Sequence, residues 1–200
     1  MRHAALLACA ALAGLAACAT ATGPYAARSF DRYEAAAPVD FRAYEAVHVP
    51  PVTASTDILA RVGAQPIGPR SRIRPLGEDD VEDQTTRLRE HIVRALSETA
   101  RIADAPGPGV LTVEAELTEL DANRPTMAEM RQFPAVDPRS VSVGDAAARV
   151  TLSEDGRTLA VIEDRALRAN LNDPGIGVGW WVTANRFYDR FSDKLAALLA

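Results

Sequence analysis

Cys18 is the residue whose position most clearly indicates covalent chemistry. It follows Leu15, Ala16 and Ala17 at the end of an uncharged run that starts directly after the first three residues. A cysteine sulfur is nucleophilic as its thiolate, and it can carry a lipid group as a thioether. The only other cysteine, Cys9, lies inside the run, and none follows Cys18. No disulfide is therefore available to the chain beyond the run.

The uncharged run is predicted to be a secretory signal peptide, residues 1–17. It covers residues 4–17, whereas a helix needs roughly 20 apolar residues to cross a bilayer. A basic start, a short apolar region and small residues at its end are typical of a signal peptide. A buried helix is the alternative, but the run lacks a polar face and a helical period.

Two cleavage sites compete at the end of this run. The tetrapeptide that ends at Cys18 resembles the lipobox of bacterial lipoproteins, in which the cysteine is acylated and becomes the first residue of the mature chain. Residues 19–21, Ala-Thr-Ala, form an ordinary small-x-small site, whose use would release a soluble periplasmic protein. The lone cysteine at the lipobox position favours acylation of Cys18.

The lipobox resemblance implies a permanent membrane anchor. A lipoprotein cysteine carries several acyl chains such as palmitate, and two or more chains hold a protein stably at a membrane. The next residue is Ala19 rather than the aspartate that, by the same resemblance, retains lipoproteins at the inner membrane. We therefore expect the outer membrane, with residues 18–40 as lipidated N-terminus and flexible tether, and residues 41–200 as a periplasmic domain.

The composition limits the range of partners. The chain has a formal net charge of −5, whereas nucleic-acid binding needs a basic stripe. The predicted partners are the membrane, through the acyl chains on Cys18, and envelope proteins or peptidoglycan. No nucleic acid and no cofactor is predicted.

No catalytic constellation is evident in the sequence, and the protein is predicted not to be an enzyme. The G-x-S-x-G and S-x-x-K motifs are absent. His48 and His91, the histidines that remain after the signal peptide, lack partners at metal-ligand spacing, so no metal site is predicted. The glycine-rich residues 175–179 do not match a nucleotide fingerprint and are predicted to form a turn.

A long helix is predicted to begin near Asp80. Its apolar face recurs every three or four residues and comprises Val81, Thr85, Leu88, Ile92, Leu96 and Thr99. Asp79 and Glu82 resemble a capping box. Capping and the helix dipole account for the acidic residues here without a metal.

Alternating polar and apolar residues predict the strands. A short strand lies within Tyr44–Val52, a half-buried strand covers Val110–Leu120, and a third covers about Val143–Leu152. An Asp-Gly turn then leads to a partner strand from Thr158 to about Arg168. The stretches Thr53–Gly77, with at most one helical turn near Ile58, and Asp121–Ser140 are predicted to be loops.

The last element is a helix from about Thr183. Its apolar stripe comprises Ala184, Phe187, Phe191, Leu195 and Leu198, and Thr183 or Asn185 can cap its start. The order strand, helix, three strands, helix predicts a single α+β domain. Each helix has one apolar stripe to bury, so we expect an antiparallel-rich sheet with both helices packed on one face.

Trp180 and Trp181 are the candidate residues for contact with a partner. Extending the period of the last helix backwards places Trp180 on its apolar stripe and points Trp181 elsewhere. We expect one tryptophan in the core and the other available to a protein, peptidoglycan or lipid. Glu114, Glu116 and Glu119 are predicted to form a solvated strand face, with a docking surface as the alternative.

Several stretches carry a family resemblance: the lipobox, AYEAVHVPPV, the helix rich in Arg and Leu, PGPGVLTVEAELTEL, the hairpin that ends in Glu163-Asp164-Arg165, and the closing tryptophan with its amphipathic helix. Together they resemble the proteobacterial lipoproteins of domain of unknown function 3313, over about residues 44–200. The resemblance implies a location and an architecture. It implies no catalytic residue, because the family has no established activity.

These observations lead to the hypothesis of an outer-membrane lipoprotein whose small periplasmic domain binds or scaffolds envelope components. A rival hypothesis is an envelope enzyme that uses Asp121, Glu163 or Asp164 in a groove, since two convergent carboxylates can suffice for acid–base catalysis. A third is a soluble periplasmic binding protein, produced by cleavage after residue 21.

Overall fold

The computed structural model describes residues 25–65, 74–124, 131, 142–166 and 179–200. These residues form a sheet of seven strands, three helices, and short 3-10 helices at Tyr25–Ser29 and Phe41–Ala43. The strands are β1 (Arg32–Ala35), β2 (Ala46–His48), β3 (Thr53–Ala54), β4 (Arg101–Ile102), β5 (Val110–Arg124), β6 (Ser142–Glu154) and β7 (Arg157–Arg165); the helices are α1 (Thr56–Arg61), α2 (Glu78–Leu96) and α3 (Val182–Leu199). The predicted class, a single α+β domain, is confirmed.

Strands β5, β6 and β7 form the antiparallel centre of the sheet. The predicted alternation of β5 and β6 is confirmed, because one side of these two strands is buried and comprises Leu111, Val113, Ala115, Leu117, Ala146, Ala148, Val150 and Leu152. The predicted turn between β6 and β7 is also present, with positive φ at Asp155 (48°) and Gly156 (75°). Strand β5 extends to Arg124, beyond the predicted end, after a bulge between Leu117 and Glu119.

The sheet is mixed rather than antiparallel-rich, in the order β1-β7-β6-β5-β2-β4 with β3 also pairing β5. Strand β2 runs parallel to β4 and to β5, and β3 runs parallel to β5. The reason is the connection through α2, because a strand that follows a helical crossover returns parallel to the first strand. The expectation of an antiparallel-rich sheet is therefore corrected.

Helices α2 and α3 pack side by side over the buried face of the sheet. The predicted apolar stripe of α3 is fully buried, and Phe187 stacks on Phe191 with 5.3 Å between ring centroids. Helix α2 begins at Glu78, and the Asp80 side chain accepts a hydrogen bond from the N–H of Gly77 at 2.8 Å. The carboxylate that closes the capping box is thus that of Asp80, and the assignment to Asp79 and Glu82 is wrong.

The folded domain starts earlier than predicted. Strand β1 lies within the stretch assigned to the tether and pairs antiparallel with β7. Phe30 is buried, and its ring lies 6.1 Å from that of Phe191 on α3. The described structure therefore includes residues 25–40 in the domain, and the tether boundary at residue 40 is wrong.

The face of the sheet that points away from the helices carries alternating charges. Arg149 on β6 bonds to Glu116 on β5 at 3.2 Å and to Glu163 on β7 at 2.9 Å, and Arg165 pairs with Glu119 at 3.2 Å. The Arg149 guanidinium, as the largest cause, holds the pKa of Glu163 below its usual range. With Glu114 exposed, this face agrees with the predicted solvated strand surface.

Candidate functional site

The residues predicted for acylation lie outside the described part of the chain. Leu15, Ala16, Ala17 and Cys18 all precede Tyr25, the first described residue. The signal peptide and the lipid anchor therefore stay predictions. In the part of the chain that is described, no helix has the length and apolar character needed to cross a membrane.

Trp180 and Trp181 sit at the start of α3 with opposite roles from those expected. Both side chains are partly buried; Trp181 packs against the hydrophobic core, whereas Trp180 lies against two arginines. The difference arises because α3 starts at Val182 and Trp181 has φ −116° and ψ 23°. A helical period extended backwards through that residue places Trp180 on the wrong side.

Two guanidinium groups lie over the indole of Trp180. The Cζ atom of Arg74 is 4.2 Å from the ring centroid, and that of Arg124 is 4.8 Å away. Both distances fit cation–π contacts. We call the group Arg74, Asp80, Asn123, Arg124 and Trp180 the Arg–Trp cluster.

Asn123 fixes the position of Trp180 at the end of β5. Its backbone N–H donates to the carbonyl of Trp180 at 2.7 Å. Its side chain donates to the Thr183 hydroxyl at 2.8 Å and accepts from the Thr183 N–H at 3.0 Å. Asn123 thus satisfies a free N–H at the start of α3, the role that the sequence predicts for Thr183 or Asn185.

Asp80 links the same cluster to the start of α2. Its carboxylate accepts from Arg74 at 2.7 Å and from the N–H of Gly77 at 2.8 Å. Burial acts to raise the pKa of Asp80, but the hydrogen bonds from Arg74 and Gly77 and the charge of Arg124 outweigh it and lower the pKa below its usual value. Asp80 is therefore ionised near neutral pH.

The Arg–Trp cluster presents a flat aromatic ring between cationic groups at one end of the domain. Arg74 is exposed, Arg124 is largely buried and Trp180 is partly exposed. The two guanidinium groups cover the indole, and a guanidinium at such a surface can donate hydrogen bonds to an anionic group. Its chemistry suits the contact role predicted for the tryptophans.

The three carboxylates considered for catalysis do not come together. Asp164 faces the core and pairs with Lys194 on α3 at 2.7 Å, whereas its neighbour Glu163 points to the opposite face and pairs with Arg149. Asp121 pairs with Arg61 at the end of α1. Adjacent residues of a strand point to opposite faces, so Glu163 and Asp164 cannot share a groove.

The two histidines take separate positions in the fold. The Nδ1 atom of His48 lies 3.0 Å from the carbonyl oxygen of Ala103, beside β4. His91 on α2 packs against the ring of Tyr188 and lies 2.8 Å from Asp189 on α3. No set of three or more His, Cys, Asp or Glu residues within the described ranges could hold a metal ion. The predicted glycine-rich turn lies outside those ranges except for Gly179.

Sequence reasoning missed Arg74, Asn123 and Arg124. Arg74 lay in a stretch interpreted as a loop, and the other two lay beyond the predicted end of β5. The bulge in β5 shifts the alternation by one residue, so the period that predicted the strand stops before them. Their proximity to Trp180 is a tertiary contact with no signal in local periodicity.

A comparison of the sequence with models of known families finds a match. The model of the family described as "Protein of unknown function (DUF3313)" matches residues 26–177. No curated protein matches the sequence.

Two solved structures are similar to the chain at low sequence identity. A PelC variant dodecamer from Paraburkholderia phytofirmans shares 10% identity, with 82% of this chain and 95% of that chain covered and a TM-score of 0.42. Protein XCC0632 from Xanthomonas campestris, of family DUF330, shares 12% identity, with 76% and 81% covered and a TM-score of 0.31.

Proposed function

The chain belongs to the DUF3313 family of proteins of unknown function, and from that premise we propose that it is an outer-membrane lipoprotein. Its Cys18 carries the acyl chains, and its small periplasmic domain binds or scaffolds envelope components through the Arg–Trp cluster. The observation that carries the proposal is a cysteine at the lipobox position in a chain with no cysteine after it.

The short distance between Cys18 and the folded domain supports a position close to the membrane. Residues 19–24 separate the cysteine from Tyr25, the first described residue. Seven steps of extended chain span at most about 24 Å. An acylated Cys18 therefore holds the domain near the lipid headgroups, where other envelope components are within reach.

The anchor is tested by labelling cells with an alkyne analogue of palmitate and comparing Cys18→Ser with Cys9→Ser. We expect the label on the natural protein and on Cys9→Ser, and none on Cys18→Ser, because only the sulfur at position 18 accepts lipid. Label that is still incorporated into Cys18→Ser would refute Cys18 as the acylated residue. A mature terminus at Thr22 instead would establish the soluble periplasmic form.

The contact role is tested by placing a photoreactive phenylalanine analogue at Trp180 in intact cells. Leu59 on α1 is the matched control, because it is a large apolar side chain that is 54% exposed and lies outside the cluster. We expect crosslinks to a defined envelope component from position 180 and not from position 59. Equal crosslinking at both positions, or none at 180, would refute a contact through the cluster.

A further inference from the structure

A groove runs between α2 and α3, away from the Arg–Trp cluster. It has a volume of about 210 Å³ and lies beside His91 and Arg94 on α2, Glu98 in the turn that follows α2, and Asp189, Ser192 and Asp193 on α3. A cavity of about 150 Å³ can hold a benzene ring. The groove is thus large enough for a ligand of about six to ten heavy atoms.

The charge of the groove is negative. Asp189 and Asp193 are four residues apart and so lie on the same face of α3, and Glu98, in the turn that follows α2, adds a third carboxylate. Arg94 is the one arginine in the lining, and it reaches Asp189 at 3.4 Å. Three carboxylates against one guanidinium leave the groove suited to a cation.

Ser192 supplies an independent indication of a ligand. The residue is 2% exposed, and among the described residues its hydroxyl oxygen has no hydrogen-bond partner. It lies three residues from Asp189 and next to Asp193 in the wall of the groove. A buried hydroxyl without a partner is unfavourable, and a donor bound in the groove would satisfy it.

His91 holds one of these carboxylates in place. Its Nδ1 atom lies 2.8 Å from the Asp189 Oδ1 atom and donates to it when the ring carries a proton on that nitrogen, and the Arg94 guanidinium reaches the same oxygen at 3.4 Å. The ring rests against Tyr188, with 6.0 Å between ring centroids. Asp189 is thereby oriented beside the groove although its side chain is 62% exposed.

The remaining lining of the groove is apolar and consists of two alanines. Ala95 on α2 and Ala196 on α3 face it, and their methyl groups leave room for an alkyl chain. A planar guanidinium needs a pair of coplanar acceptors, whereas an ammonium group donates in three directions. Two carboxylates on α3, a third in the turn after α2 and a hydroxyl from the wall match the ammonium better.

We propose that the groove between α2 and α3 binds a primary aliphatic ammonium group on a short alkyl chain. The ammonium donates to Asp189, Asp193 and Ser192, and the alkyl chain lies against Ala95 and Ala196. This chemistry occurs both in a free diamine and in the amine of a lysine-like side chain of an envelope peptide. The site is independent of acylation at Cys18.

The proposal is tested by calorimetric titration of the detergent-solubilised mature protein with 1,4-diaminobutane and with Nα-acetyl-lysine amide. Binding of the diamine alone identifies a free diamine, and binding of the lysine amide alone identifies a peptide side chain; either result, or both, supports the site. Nε-acetylated lysine amide, which lacks the charge, should not bind.

Variants then locate the binding. We expect Asp193→Asn to weaken amine binding about ten-fold, the loss typical of one charge-assisted hydrogen bond, and Ser192→Ala to weaken it less. Glu114→Gln is the matched control, because it removes one negative charge from an exposed residue on the far side of the sheet. No amine binding, an equal loss in Glu114→Gln, or binding that Asp193→Asn leaves unchanged would overturn the proposal.

Discussion

At the scale of single residues, one buried ion pair stands out. Lys194 is the only lysine in the chain, and its Nζ lies 2.7 Å from a carboxylate oxygen of Asp164. The Asp164 side chain is 2% exposed, whereas that of Lys194 is 21% exposed. The Lys194 ammonium also lies 5.5 Å from the ring of Phe30. Without its partner, the Lys194 ammonium can therefore reach water, whereas the Asp164 carboxylate cannot.

This difference predicts an asymmetric response to mutation. Lys194→Met leaves a fully buried carboxylate without its cation and should lower the free energy of unfolding by about 3 to 5 kcal/mol. Asp164→Leu leaves an ammonium that can reach water, and it should cost less. Urea unfolding of both variants checks the order.

The double variant Lys194→Met/Asp164→Leu is the control for this pair. Without a buried charge it should recover much of the stability lost in Lys194→Met, because an apolar pair of similar volume often replaces a buried ion pair without loss. A double variant less stable than Lys194→Met, or equal losses in the two single variants, would contradict the assignment.

Composition alone could not reveal this pair. Glu163, Asp164 and Arg165 are consecutive charged residues at the end of the hairpin, and Glu163 and Asp164 were both candidates for one groove. The alternation of the strand sends Asp164 inward and its neighbours outward, but the sequence does not show which phase the strand adopts when the run is uniformly charged. The cation that accepts Asp164 comes from α3, and only the tertiary structure brings it there.

At the scale of secondary-structure elements, Gly144 allows the backbone of β6 to lie close to the side chain of Asn123 on β5. Its φ is +72°, and an added Cβ would lie 2.7 Å from the Asn123 side-chain oxygen. Gly144→Ala should therefore displace the side chain that satisfies the start of α3, in addition to the strain of a positive φ of roughly 1 to 2 kcal/mol.

Gly156→Ala is the matched control for Gly144→Ala. Gly156 has nearly the same φ, +75°, and nothing lies within 4 Å of an added Cβ, so only the backbone strain applies. Thermal unfolding should show a clearly larger loss for Gly144→Ala. Equal losses would mean that the contact with Asn123 adds nothing to the stability of α3.

Asp80 provides a pH-dependent test of the start of α2. Its pKa is lowered in the folded protein, so its contribution is fully present above the unfolded pKa of about 3.9 and is lost as the pH falls through the lower, folded value. Asp80→Asn should cost about 1 kcal/mol at pH 7 and 5. The gap from the natural protein should narrow at pH 3.

Asp79→Asn is the control for this titration, since Asp79 is exposed in the same helical turn. Urea unfolding at pH 7, 5 and 3 should show a smaller loss for Asp79→Asn than for Asp80→Asn. A gap for Asp80→Asn that is constant down to pH 3, or a larger loss for Asp79→Asn, would show that Asp80 does not cap α2.

The long elements could be predicted and the short ones could not. Helices α2 and α3 and strands β5 to β7 span enough residues for a period to show. Strands β3 and β4 have two residues each, which is too few for any alternation. These short strands, with β2, supply the parallel pairs, so the sequence predicted the class of the fold but not the mixed character of the sheet.

At the scale of the whole molecule, the position of the boundary between the predicted anchor and the domain depends on whether residues 25–40 are folded. Their composition is small and polar, and their periodicity is weak, so they were predicted to be a tether. They are ordered instead by contacts from distant parts of the chain: β1 pairs with β7, and Phe30 packs on Phe191. The stretch that can still be predicted to be a tether is therefore residues 18–24 rather than residues 18–40.

A short tether predicts close contact between the acylated protein and the lipid headgroups. With seven chain steps between Cys18 and Tyr25, the root-mean-square separation of the two is about 15 Å, and an insertion of 20 Gly and Ser residues at position 22 raises it to about 29 Å. Asp31 is exposed, and Asp31→Cys introduces the only thiol of the mature acylated chain. A fluorophore on that thiol in vesicles should be strongly quenched by lipids with a nitroxide headgroup, and the insertion should markedly reduce the quenching. Equal quenching with and without the insertion would show that the tether does not set the height of the domain above the membrane.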